Sequence, residues 1–194
     1  MPTITIEPAT SERFDDAQHA LSGGGDGHGC QCQWWTLRNA DWERTTIDSR
    51  AELLREETEQ SPPPALIAYV DGEAAGWVRV GARTGYARLA RTKAIAPFSP
   101  APWEAPDVWA VSCFVVRREH RRQGLNARLL DAAIAFARQH GARMLEAYPI
   151  DTSVTARRTN DLYHGVLSVF EDAGFREVAR PKPDMAIVEL DLHA

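Results

Sequence analysis

VWAVSCFVVRREHRRQGLNARLLDAAIAFARQHG, residues 108–141, is the stretch that decides the fold. Its first nine residues, 108–116, are apolar but for one serine and read as a buried, central strand. Its last part predicts a helix over 124–139. There Leu125, Leu129, Ala132, Ala133 and Phe136 make one apolar stripe, and His140-Gly141 closes it. Between strand and helix, Arg117, Arg118, Arg121 and Arg122 crowd against a single glycine, Gly124. A helix N-terminus has unpaired backbone N–H groups and a partial positive charge, so it is a ready anion site. Glycine at 124 lets an anion approach the backbone, and the arginines add charge-assisted hydrogen bonds. The expected ligand is a phosphate or pyrophosphate carried by a larger molecule.

Outward from this stretch the chain alternates strands and helices. ITIEPAT reads as a strand, followed by a helix from about Ser11, its N-cap, to Leu21. SGGGDGHG (22–29) holds five glycines and reads as a flexible loop rather than a phosphate cradle, because no strand leads into it. Residues 39–60 are helical in their second half, with Leu53 and Leu54 inward, until SPPP stops them. ALIAYV-DGE-AAGWVRV (65–80) is a hairpin turned by Asp71-Gly72. Residues 97–106, with four prolines and Trp103, form a long irregular loop. MLEAY (144–148) is a strand, 149–161 a polar connector, and a short helix ends at Gly174. FREVARP and MAIVELDL make a closing pair of strands. This order predicts an α/β fold in one domain over 1–194: a mixed sheet of about six to seven strands with helices on both faces.

Composition narrows the function. The 22 basic against 27 acidic residues, net −5, argue against broad nucleic-acid binding. The N-terminus, MPTITIEPATSERF, has no apolar core of signal-peptide length and no stretch reaches the length of a membrane span, so a cytoplasmic protein without a membrane partner is expected. Three cysteines, 30, 32 and 113, cannot all pair, in keeping with a reducing compartment. His28, Cys30 and Cys32 resemble part of a zinc site, but a second ligand pair is missing, so no metal is expected.

Neither nucleotide loop, GxxxxGK[ST] or GxGxxG, is present. Arg121-Arg122-Gln123-Gly124-Leu125-Asn126 instead resembles the acetyl-CoA signature R/Q-x-x-G-x-G/A of the GNAT superfamily of N-acetyltransferases. VFEDAGF (169–175) resembles a second, downstream block of that family, often lYeklGF. The likeness covers about residues 65 to 190. Three positions depart from the pattern. Asn126 replaces a glycine or alanine, Phe170 stands at the tyrosine that commonly protonates the leaving thiolate, and Tyr163 stands at a frequent asparagine.

The resemblance implies acetyl-CoA as co-substrate, an acetyl-CoA-binding core over about 65–180, acceptor-side elements over 1–64 and closing strands over 175–192. Phe114, Val115 and Val116 would pair with the pantetheine arm, and residues 121 to 126 would hold the pyrophosphate. A primary amine of a small molecule or peptide would attack the thioester directly in a ternary complex. Glu146 is the first candidate for general base, with Asp151 and His164 behind it; Tyr163 and Tyr148 are candidates for the acid. Glu146 and Tyr148 alternate onto one face of their strand. Trp34 and Trp35, with Trp42, would wall the acceptor. The alternative is a GNAT-fold module that binds CoA with little or no turnover, a reading that Phe170 motivates. A homodimer is conceivable through the edge of MAIVELDL.

Overall fold

The computed structural model describes residues 2–193. Seven strands form one sheet: β1 (Ile4–Pro8), β2 (Ala65–Val70), β3 (Glu73–Ala82), β4 (Val108–Val116), β5 (Met144–Ala147), β6 (Arg176–Lys182) and β7 (Met185–Asp191). They lie in the order β1-β2-β3-β4-β5-β7-β6. Only β4 and β5 run parallel; every other neighbouring pair is antiparallel. The helices are α1 (Phe14–Ser22), α2 (Gly27–Cys30), α3 (Asn39–Trp42), α4 (Ile47–Thr58), α5 (Leu125–Gln139) and α6 (Leu167–Asp172).

The β2–β3 hairpin turns at Asp71-Gly72, both with positive φ (50° and 87°), as a tight turn matching the strands' twist requires. Alternation along β2 and β3 divides the core. Leu66, Ala68, Val78 and Val80 meet Leu125, Leu129 and Phe136 of α5 on one face. Ala65, Ile67 and Trp77 meet Phe14, Ala17 and Leu21 of α1 and Leu54 of α4 on the other. Each large side chain buried this way stabilises the fold by about 1.5–3 kcal/mol before its entropy cost. The α5 stripe is as expected, except that Leu130 and Ala137 join the buried side and Ala132 lies at its margin.

Three local expectations are corrected. Residues Ser11–Arg13 form a short 3-10 turn, so α1 starts only at Phe14. The glycine-rich stretch is partly helical, as α2. And β7 is no sheet edge: it pairs with β5 on one side and β6 on the other, which removes the dimer contact imagined for it. The edge strands are β1 and β6, and the charged side chains and proline of β6, REVARPK, are poor partners for another strand.

Candidate active site in the cleft beside β4

β4 and β5 separate where a ligand needs room. They pair from Val108 to Val111 against Met144 to Ala147; β4 then runs on to Val116 while β5 has ended. At the separation β4 bulges. Arg79 faces Cys113 and Val80 faces Val111, leaving Ser112 as the extra residue. A cavity of about 1290 Å³ opens along the free part of β4 and is lined there by Cys113, Phe114, Val115 and Val116. The Phe114 N–H points into this gap but already donates to the Tyr163 carbonyl (2.6 Å). By the alternation of a strand edge, the Phe114 carbonyl and the Val116 N–H face the same way.

At the far end of β4 the chain enters α5 through a turn with two left-handed residues, Arg122 (φ 62°) and Gly124 (φ 73°). Gly124 is the N-cap and has no side chain to satisfy the first N–H groups of the helix. Space beyond its Cα is open to 4 Å. The Asn126 Oδ1 is buried and has no partner, so this helix start is left with unspent polar groups. Arg118, Arg121, Arg122, Leu125 and Asn126 line the cavity, and the Arg121 Nε donates to the Val116 carbonyl (3.1 Å). Gln123 does not line it; it turns back to the Glu119 carbonyl. These residues fit a pyrophosphate: several free N–H groups, a helix N-terminus and three guanidiniums at one place.

The glycine-rich stretch faces this turn and forms the opposite wall. A Cβ on Gly24 would come within 2.5 Å of the Arg121 guanidinium, and one on Gly23 within 2.1 Å of the Arg117 side chain. The Arg118 N–H donates to the Gly23 carbonyl (3.1 Å). Arg117 pairs with Glu119 and donates to the His19 carbonyl at 2.6 Å. Glycines are therefore needed here for close approach to the arginine turn, which reading for a strand–glycine–helix order had missed. Their number opposite an arginine cluster was the available signal.

Of the catalytic candidates, Tyr163 is in the cavity and partly exposed. Burial, with the nearby Cys113, Cys30, Asp161 and Asp26, pushes its phenol up to about 12, so it carries its proton at neutral pH. Glu146 and Tyr148 share one face, as alternation required, but both are fully buried and neither lines the cavity. Glu146 pairs with the fully buried Arg83 (3.0 Å) and accepts from Ser99 Oγ (2.5 Å) and Tyr148 Oη (2.6 Å). Burial, and then the Glu146 charge, holds the Tyr148 phenol well above its usual range. Asp151 lies outside the cavity, tied to Ser153 and Arg180. His164 packs between Trp35 (ring centres 5.2 Å apart) and Tyr163 (4.5 Å), and its Nδ1 has no partner. Phe170 is fully buried, edge-on to Phe114 and Phe175; it is core.

Trp34, Trp35 and Trp42 line the cavity, joined edge to face at 6.4 and 5.1 Å. His28, Cys30 and Cys32 do not converge. Among the described residues the one group of three possible metal ligands is Glu73, Glu119 and His120. All three cysteines are free.

The chain has the strand order and the split β4–β5 cleft of an acyltransferase fold. It resembles an N-acetyltransferase from Staphylococcus aureus Mu50 (20% identity, 98% of this chain and 99% of that one, TM-score 0.57). It also resembles the GNAT domain of S. lividans PAT (18%, 98% and 96%, TM-score 0.56). A third likeness is to yncA from Salmonella typhimurium, solved with its cofactor acetyl-CoA (16%, 97% and 94%, TM-score 0.55). At these identities the likeness speaks for the fold. Among curated proteins none matches the sequence. The Acetyltransferase (GNAT) family model, however, matches residues 32–165, about two thirds of the chain, and the chain belongs to that family.

Proposed function

We propose that this protein is an acetyl-CoA-dependent N-acetyltransferase acting on a primary amine by direct attack in a ternary complex. The observation that carries the reading is one cavity lined by the uncapped α5 N-terminus, by β4 from Cys113 to Val116 and by Tyr163. Acetyl-CoA, when bound, supplies an acetyl thioester. The N–H groups of residues 122 to 126 hold its pyrophosphate, Arg118, Arg121 and Arg122 neutralise the charge, and the Phe114 carbonyl and Val116 N–H remain to pair with the pantetheine arm.

Tyr163 takes the acid's role that Phe170 cannot fill. A phenol at about 12 keeps its proton, and a proton held there serves as a hydrogen bond to sulfur as the C–S bond breaks and the N–C bond forms. Glu146 is not given the base's role, because its lone pairs are engaged by Arg83, Ser99 and Tyr148; water in the open cavity takes the ammonium's proton. No metal enters this reading. The free thiols suit a reducing compartment such as the cytoplasm, and among the described residues no helix is long and apolar enough to cross a membrane.

The test is calorimetric titration with acetyl-CoA together with release of CoA thiol over a broad amine panel. Gly124→Glu places a carboxylate at the helix start and should weaken acetyl-CoA binding roughly a hundredfold. Tyr163→Phe should keep that affinity and lose roughly a hundredfold in kcat. Unchanged binding in Gly124→Glu sinks the pyrophosphate seat. Binding without turnover of any amine above hydrolysis would instead favour a CoA-binding module.

A further inference from the structure

From the β4 bulge, a second arm of the cavity runs away from the arginine turn. His164 lies near Ser112 at the bulge and packs against Trp35 and Tyr163. Trp35 stacks near His164, Trp34 meets Trp35, Trp42 meets Trp34, and Arg50 of α4 lies over the Trp42 ring, 4.1 Å from its centre. This ladder of rings leads from the reacting end of β4 to a guanidinium. Trp34, Ile47 and Tyr163, all exposed large hydrophobic side chains, line the same cavity, and isolated apolar groups of this size gathered in one cleft mark a binding surface.

The charge of this arm is one-sided. Arg88 stacks under Trp34 at 3.8 Å and is fixed there by the Trp34 and Leu37 carbonyls and by Asn39. With Arg50 over Trp42, the two rings that could embrace a cation are each already covered by one of the chain's own guanidiniums. A second cation on them would meet like charge. The Arg50 Nε donates to the Thr46 carbonyl (3.0 Å), and among the described residues no carboxylate pairs with its guanidinium. Asp26 is the single carboxylate lining the cavity among those residues. It belongs to the glycine-rich stretch and is close enough to Tyr163 to act on its phenol.

We infer that the acceptor is an amine that bears its own carboxylate, of the amino-acid type with an apolar side chain. Its amino end reaches the Tyr163 side, and its carboxylate meets Arg50 at the end of the tryptophan ladder. This rests on the acetyltransferase reading above and narrows it: polycationic acceptors such as polyamines are excluded by the guanidiniums. Arg50 is then a specificity-determining residue that binds the acceptor and leaves the reacting atoms untouched.

The experiment compares phenylalanine, tryptophan and methionine with their decarboxylated amines and with spermidine, at saturating acetyl-CoA, in the full-length wild type, Arg50→Ala and Arg50→Lys. Calorimetry with acetyl-CoA alone runs in parallel. The wild type should favour each amino acid over its decarboxylated partner by at least about tenfold in kcat/KM. Arg50→Ala should raise KM for the amino acids about thirtyfold with kcat little changed, leave the decarboxylated amines as they were, and Arg50→Lys should restore part of the loss. Preference for spermidine or for the decarboxylated amines overturns the inference, as does an Arg50→Ala effect equal on both classes or failure of every carboxylated amine. In all of these cases unimpaired acetyl-CoA binding and CoA release with another amine leave the acetyltransferase reading standing. Loss of wild-type acetyl-CoA binding brings down both.

Discussion

Burial holds His164 as a neutral imidazole: it is pushed down to about 4, against a smaller upward pull from the Ser112 backbone. The sign of the consequence follows from proton uptake. The unfolded chain binds this proton near pH 6.5 and the folded chain only near 4, so stability is complete above about 6.5 and falls as pH drops towards 4. The loss amounts to about 3 kcal/mol over that window. His164→Gln should remove the group's share: chemical denaturation at pH 7 and pH 4.5 should show a smaller acid loss in the variant than in the wild type. Equal losses would mean that the ring titrates normally. Tyr163, seven residues before Phe170, reaches the cleft because the 159–163 segment lines it, while position 170 is turned into the core against Phe114.

At the scale of elements, Arg83 and Glu146 fasten the long loop between β3 and β4 to the sheet. Arg83 donates to the Ala101 (2.9 Å) and Pro102 (2.6 Å) carbonyls and to Ser99, lies 4.3 Å from the Trp103 ring centre and pairs with Glu146 of β5. A loop with four prolines supplies few backbone donors, so one buried guanidinium collects its carbonyls. Breaking a buried pair strands the remaining charge, so Glu146→Gln should cost about 3 kcal/mol in chemical denaturation. If Glu146→Gln keeps its stability but shifts the pH profile of kcat, Glu146 is a base after all. The same logic joins α4 to the sheet, where Glu57 takes Arg79 of β3 through both oxygens, at 2.8 and 2.7 Å.

Across the whole molecule the sheet has a polar edge at β6 and a protected interior. β3, β4 and β7 are paired on both sides, β6 on one. Native-state hydrogen exchange should therefore leave β6 amides the faster and those of β7, only one strand inward, among the slow ones. Slow exchange along the free side of β6 in concentrated solution would reveal pairing with a second copy. The cleft is a whole-molecule feature too. Its walls come from the glycine-rich stretch, the tryptophans near α3, the β4–α5 turn and the 159–163 segment, which no local pattern ties together.

The succession of strands and helices along the chain, the Asp71-Gly72 hairpin, the α5 stripe and the glycine at the uncapped α5 start were legible because each depends on neighbours in the chain: alternation, a period of 3.6, a positive φ, an unpaired helix start. Glu146 shows the limit. Alternation placed it correctly on a face with Tyr148, but whether that face met the cleft or Arg83 depended on how a distant loop folded over it. The glycines at 23 and 24 were likewise visible as glycines, while their reason, the arginine side chains packed against them, is a contact between segments about a hundred residues apart. What the sequence by itself determined was the fold and the uncapped, arginine-flanked start of α5, since short-range backbone chemistry sets both. Which tyrosine lines the cleft, which carboxylate is locked away and which arginine lines the cleft without a carboxylate partner were decided only by tertiary packing, because burial and pairing are properties of what the rest of the chain brings alongside.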